Sequence, residues 1–210
     1  MKKIKLKKNK KEKSNKWLSR HLNDIYYQEA KKKGYRSRSA FKLLQINKKF
    51  NLFFKGANVL DLGAAPGGWC QVAKELIGSS GSVFGVDRLE IDKINGIDFF
   101  QGDINDEKIR FKITNLEVGK FDVVLSDMAP NTTGHNSTDH IRIVNLVEIA
   151  IDIADQFLKK NGFFVCKVFQ GGAQGKLLEF MKSNIKDIKY FKPDASRKES
   201  PETYLIGKKK

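Results

Sequence analysis

The chain has no apolar run near the length of a membrane span, two cysteines and three histidines among its 210 residues, and no internal repeat. Each shortage closes off a class of protein. A bilayer-crossing helix needs roughly 20 consecutive apolar residues, and none is present. Met1 to Lys16 carries lysines without the apolar stretch of a signal peptide, and without the arginine and serine pattern of a mitochondrial transit peptide. The expectation is therefore a soluble, uncleaved, cytoplasmic protein. Cys70 and Cys166 have neither Cys-x-x-Cys spacing nor a histidine pair nearby, which points to buried free thiols in a reducing compartment. His21, His135 and His140 are scattered, and no metal site is expected.

Acidic residues are also short, with 24 Asp and Glu against 40 Lys and Arg, giving a formal net charge of +16. With an isoelectric point near 9.7, the protein attracts phosphate-bearing partners in a salt-dependent way. Lysine far outnumbers arginine, so part of the excess reflects composition alone. Charge nominates RNA or DNA without choosing between them.

The length suits one α/β domain, residues 16–210, behind a basic arm. Residues 1–15 are lysine-rich with little apolar content and are expected to be a disordered arm. The spacing of Trp17, Leu18, His21, Leu22, Ile25, Tyr26 and Ala30 predicts a helix over 16–33, ended by Gly34. A second helix carries Ala40, Phe41, Leu43, Leu44 and Ile46 on its apolar face, with Ser37 or Ser39 as its cap. Between them lies the basic turn Lys31-Lys32-Lys33-Gly34-Tyr35-Arg36-Ser37-Arg38. Its cations and single aromatic suit a nucleic-acid backbone with a base nearby, and equally an ordinary solvated helix end.

Alternation of strand and helix follows. Strands are predicted over 58–62, 82–86, 97–101, 121–125 and 162–169, with helices over 67–76, from Ile141 to Leu158, and over 174–183. A polar loop spans 131–140, and strands near 188–192 and 203–206 close the sheet as a hairpin-like pair. The pattern predicts a Rossmann-like α/β fold with a mostly parallel seven-stranded sheet and helices on both faces.

In such sheets ligands bind beyond the carboxyl ends of the strands. The turn Gly63-Ala64-Ala65-Pro66-Gly67-Gly68 follows the first strand. Pro66 suits a first helical position, and Gly67 and Gly68 would let a ligand approach the backbone. Asp87, Asp103 and Asp127 follow the next three strands. A carboxylate after the second strand suits the two hydroxyls of a ribose. The dinucleotide fingerprint wants Gly-x-Gly-x-x-Gly, but Ala65 holds its second glycine position, so an adenosyl ligand without pyrophosphate fits better. Lys167 stands inside Phe163-Phe164-Val165-Cys166-Lys167-Val168-Phe169, where burying an ammonium is costly. It is either a functional lysine at the sheet's edge or one whose stem lies on apolar surface while its head reaches water.

These motifs closely resemble the FtsJ/RrmJ family of S-adenosylmethionine-dependent RNA ribose 2′-O-methyltransferases. The resemblance runs from Trp17 to Lys208. It covers Ser37-Arg38-Ser39-Ala40-Phe41-Lys42-Leu43, Asp61 to Trp69, Ser126-Asp127-Met128-Ala129-Pro130-Asn131, Lys167-Val168-Phe169-Gln170-Gly171 and Lys192-Pro193-Asp194-Ala195-Ser196-Arg197. It implies a Lys-Asp-Lys-Glu tetrad at Lys42, Asp127, Lys167 and Glu202, and contacts to S-adenosylmethionine from Gly67, Trp69, Asp87, Asp103 and Asp127. It also implies in-line attack of a ribose 2′-oxygen on the sulfonium methyl, with Lys167 accepting or steering the proton. The Asp127-Met128-Ala129-Pro130 form resembles the ribosomal branch. The expected target is thus a uridine in 23S ribosomal RNA within the assembled large subunit, gripped by the N-terminal helices of a monomer. A tRNA ribose methyltransferase and a non-catalytic ribosome-assembly factor are the alternatives.

Overall fold

The computed structural model describes residues 24–130, 136–169 and 176–210. The lysine-rich arm, Trp17 to Leu22, His21, His135, the loop 131–135, Gly171, Gly172 and Gln174 lie outside the described residues. No helix among the described residues is long and apolar enough to cross a membrane.

Helix α1, Ile25–Lys33, begins behind Asp24, whose Oδ1 accepts from the backbone N–H groups of Tyr26 and Tyr27 at 3.0 and 3.2 Å. Asp24 has extended backbone angles, and its side chain satisfies orphan donors at the start of the helix; the part of the helix expected over 16–33 that precedes Asp24 lies outside the described residues. Gly34 ends α1 in the left-handed conformation, as its position predicts. Helix α2, Ala40–Phe50, buries Ala40, Leu43 and Ile46. Neither serine caps it through its side chain; the Ser37 and Ser39 hydroxyls lie 2.5 Å from each other instead.

Five strands follow in parallel register: β1, Asn58–Leu62; β2, Ser82–Asp87; β3, Ile97–Gln101; β4, Phe121–Ser126; and β5, Leu158–Phe169. Helices α3, Gly68–Ile77, α4, Glu107–Thr114, and α5, Asn136–Phe157, connect them, and α6, Lys176–Asn184, leads into β6, Ile185–Phe191, and β7, Glu202–Lys209. The sheet order is β3-β2-β1-β4-β5-β7-β6, and β7 runs antiparallel to both its neighbours. The sheet is therefore mixed. The short β6–β7 connection cannot make the crossover that a parallel pair needs.

Two apolar clusters sandwich the sheet. One gathers Leu60, Leu62, Val124 and Phe164 against Ile113 of α4 and Val147, Ala150, Ile151 and Ala154 of α5. The other sets Val59, Val123, Val165 and Tyr204 against Leu43 and Ile46 of α2 and Val72 and Ile77 of α3. Burial of each large side chain contributes about 1.5–3 kcal/mol before entropy is counted. The expected stripe on α5 is corrected at both ends. The helix starts at Asn136, inside the predicted loop, Ile141 is 69% exposed, and Leu158 opens β5 opposite Phe121.

Pro66 is not the first helical residue. It follows a cis peptide from Ala65, and α3 starts at Gly68 with Gly67 as its cap. Gly67 and Gly68 are also packed closely by other parts of the protein. A Cβ on Gly67, at φ +104°, would meet Ile94 Cδ1 at 2.4 Å, and one on Gly68 would meet Ser37 Oγ at 2.5 Å. The glycines admit the N-terminal turn and the β2–β3 loop.

Candidate active site

Strand register builds the site. Leu62 pairs with Val86 and Ser126, and Ser126 with Cys166, so Gly63, Asp87, Asp127 and Lys167 stand one step beyond a common row. The sequence order of the parallel strands turns back between β1 and β4, the usual place for a ligand crevice. A cleft of about 520 Å³ lies there, walled by Gly63, Ala65, Asp87, Leu89, Asp103 and Asp127 among others. Its size falls within the range of small-molecule pockets.

Across the cleft mouth, side-chain alternation along β5 places Lys167 on the face covered by α2. Lys167 pairs in register with Tyr204, and Phe169 with Glu202. Lys167 is 6% exposed, and its Nζ donates to the backbone oxygen of Asp127 at 2.7 Å and to Asp127 Oδ1 at 3.0 Å. The Tyr204 hydroxyl lies 2.8 Å from Asp127 Oδ1 and 3.2 Å from Glu202 Oε1. Glu202 Oε1 also accepts from Lys42 Nζ at 2.5 Å and from Ser196 Oγ at 3.0 Å. Lys42, Asp127, Lys167 and Glu202 are thus brought together, and Tyr204 links the two ion pairs.

The electrostatics follow from this arrangement. Burial pushes the Asp127 carboxyl upward, but the Lys167 and Lys42 cations and the hydrogen bonds from Tyr204 and Lys167 outweigh it and hold the group below the usual carboxylate range. The Tyr204 phenol is driven well above its ordinary value by burial first and by the Asp127 and Glu202 charges next. Asp61, in the middle of β1, has no exposed surface, and burial pushes it up to about 7. Its Oδ2 accepts from Cys70 Sγ at 3.1 Å, while Oδ1 is buried without a hydrogen-bond partner.

Among the remaining candidates, Asp87 accepts from Ala65 N and Leu89 N, each at 2.9 Å. Asp103 accepts from Asn105 N at 2.9 Å and faces Arg88 Nε at 3.6 Å. Trp69 is buried, packs on the Tyr204 ring at 5.6 Å and donates to the Ser39 carbonyl. Neither Trp69 nor Gly67 lines the cleft that holds Asp87, Asp103 and Asp127.

In the basic turn, Tyr35 is bonded to Glu75 and Arg38 to the Ala195 carbonyl, so neither is a free contact for RNA. Sequence reasoning gave no site role to Tyr204, Ser196 or Asp61. Asp61 and Ser196 stand in the motifs that carry the family resemblance, and Asp61 also shows as a carboxylate inside an apolar strand.

The sequence model of FtsJ-like methyltransferases matches residues 35–210. The chain belongs to the FtsJ-like methyltransferases. This FtsJ-like chain is 51% identical to the ribosomal RNA large subunit methyltransferase E of Acidiphilium cryptum, over 92% of its own length and 85% of that protein. It is 47% identical to the protein of the same name in Rickettsia akari, over 92% and 88% of the two chains. A solved Plasmodium falciparum protein described as a ribosomal RNA methyltransferase superposes with a TM-score of 0.72 at 28% identity, covering 83% of this chain and 98% of that one. Fibrillarin from Aeropyrum pernix, solved with natively bound S-adenosyl-L-methionine, shares the fold at a TM-score of 0.54 and 16% identity, over 82% and 75% of the two chains.

Proposed function

We propose that this chain transfers a methyl group from S-adenosylmethionine to the ribose 2′-hydroxyl of a uridine in 23S ribosomal RNA, with the assembled large subunit as its substrate. It acts in the cytoplasm as a monomer. The observation that carries this reading is the Lys167–Asp127 pair at the lip of the cleft, tied through Tyr204 to Lys42 and Glu202. The names carried by the relatives supply the class of RNA.

The residues present suit the cofactor. Asp87 holds one backbone N–H on each carboxylate oxygen and keeps further lone pairs for a pair of ribose hydroxyls. Three carboxylates, Asp87, Asp103 and Asp127, line the cleft and complement a ligand bearing an ammonium and a sulfonium. Leu89, 68% exposed at the cleft wall, offers apolar surface to an adenine. Gly67 and Trp69 then act from behind the wall: Gly67 admits Ile94, and Trp69 supports Tyr204.

When bound, the cofactor supplies a methyl carbon already made electrophilic by the sulfonium charge. The two hydrogen bonds to Asp127 fix Lys167 Nζ and leave one tetrahedral direction for the incoming 2′-hydroxyl. From this position Lys167, as the neutral amine, would accept the proton of the 2′-hydroxyl when that oxygen is methylated. Holding nucleophile and methyl in line supplies much of the remaining acceleration. Helices α1 and α2 belong to the same domain, pinned to the body by Lys42, Arg38 and Gln45, and present the exposed Lys31, Lys32 and Lys33 to RNA.

Labelled S-adenosylmethionine offered to large subunits, naked ribosomal RNA and tRNA from cells lacking the gene tests the substrate. Label in large-subunit RNA is expected. Label confined to tRNA overturns the substrate assignment, and no label in any of them favours the assembly-factor alternative.

A further inference from the structure

Arg36 sits in the basic turn where an RNA contact is the first reading, yet its guanidinium is engaged inside the protein. Nη1 donates to the Pro66 carbonyl at 3.2 Å and the Asp92 carbonyl at 2.7 Å, and Nη2 donates to the Lys93 carbonyl at 3.0 Å. Its own backbone N–H donates to Gln71 Oε1 at 2.9 Å. One residue therefore joins the α1–α2 turn, the glycine-rich turn after β1, helix α3 and the β2–β3 loop.

That loop, residues 88–96, has no helix or strand of its own. Loops of this kind open locally at low free energy unless something holds them. Its first residues, Arg88 and Leu89, form the cleft wall beside Asp87. Its far end is pressed against the glycine turn, since a Cβ on Gly67 would lie 2.4 Å from Ile94 Cδ1 and 3.4 Å from Arg36 Cδ. A planar guanidinium can span three carbonyls on two segments at once, which a lysine ammonium of equal charge on a flexible stem cannot.

We propose that Arg36 is a positioning residue for the cofactor, a clasp that holds loop 88–96 against the glycine-rich turn and so sets Asp87 and Leu89 for the adenosyl group. The proposal rests on the reading of the cleft as the S-adenosylmethionine site. It makes the RNA-facing turn and the cofactor loop one mechanical unit, and it removes Arg36 from the RNA contacts.

Two readouts test it on the full chain: hydrogen–deuterium exchange of residues 88–96 without ligand, and S-adenosylmethionine affinity by calorimetry. Arg36→Ala and Arg36→Lys are both expected to speed loop exchange and to raise the cofactor Kd about tenfold or more, with the KM for RNA and its salt dependence unchanged. Unchanged loop exchange, or an unchanged cofactor Kd with a weakened, less salt-sensitive RNA interaction, overturns the clasp. Absence of cofactor binding by the wild-type chain overturns the underlying cleft reading, separately from the exchange result. Should Arg36→Ala fail to fold, Ile94→Ala loosens the same loop without touching a charge and is expected to give the same pair of changes. If Ile94→Ala leaves both loop exchange and cofactor Kd unchanged, the clasp is overturned.

Discussion

The Tyr204 hydroxyl lies 2.8 Å from Asp127 Oδ1, so the carboxylate that holds Lys167 is itself held from β7, the one strand that runs against the rest of the sheet. Had β7 been parallel to β5, the pairing of Lys167 with Tyr204 and of Phe169 with Glu202 would not exist in this register. The reversed strand is what delivers the second half of the candidate site.

Removing that hydroxyl gives the first prediction. Tyr204→Phe deletes a hydrogen bond to a charged group, worth about 1.5–3 kcal/mol. Because this bond helps depress Asp127, the acidic limb of the pH–activity profile is expected to move upward. Activity on the alkaline side falls much less. An unmoved acidic limb contradicts the role given to Tyr204.

The Lys42–Glu202 pair is nearly buried, with side chains 13% and 14% exposed. Breaking one partner strands the other, so Lys42→Met and Glu202→Gln each destabilise the fold, by about 3 kcal/mol for a pair of this burial. In urea denaturation the double variant is expected to recover part of the loss, with a coupling of about 1–3 kcal/mol. Strict additivity would show that the pair does not act as a unit.

Asp61 makes stability depend on pH. Its folded-state value of about 7 lies above the ordinary carboxylate value of 3.8, so the folded chain binds this proton more tightly than the unfolded chain. That contribution is fully present at pH below about 4 and is lost as pH rises through about 7. Each pH unit between the two values is worth ~1.4 kcal/mol. Asp61→Asn removes the titration, and thermal melts from pH 5 to 8.5 are expected to show the variant gaining on wild type as pH rises. A pH-independent difference contradicts the burial argument.

Gly67 tests the glycine turn. Gly67→Ala forces a Cβ into Ile94 at φ +104°, whereas Gly119→Ala, at φ +64° with nothing within 4 Å, meets only backbone strain. Gly119→Ala is expected to cost about 1 kcal/mol and Gly67→Ala distinctly more, with a disturbed cleft wall. Equal costs in urea denaturation would mean that Ile94 yields freely.

Strand existence was readable because β1, β2 and β4 are buried on both faces and announce themselves as short apolar runs ending in Asp or Gly. Asp127 and Lys167 were legible for a related reason: a charge inside or just beyond an apolar run is conspicuous. Lys42 and Glu202 were not, since 160 residues separate them and only packing of α2 over β7 joins them. The resemblance, not the spacing, singled them out. Local signals misled where tertiary contacts overrode them. Pro66 stands in a cis turn rather than at a helix start, and Gly67 and Gly68 also make room for Ile94 and Ser37, which their sequence neighbours do not announce. The basic turn read equally as an RNA surface or a solvated helix end, and Arg36 and Arg38 bond to backbone carbonyls that sequence could not place beside them.

The most direct test of the account is methyl transfer by Lys167→Ala to large ribosomal subunits, measured beside its affinity for S-adenosylmethionine. Lys167 touches Asp127 across the cleft mouth and is not among the cleft-lining residues. The variant is therefore expected to bind cofactor within about twofold of wild type while losing transfer by about two to four orders of magnitude. Near-normal turnover by Lys167→Ala would contradict the proposed mechanism.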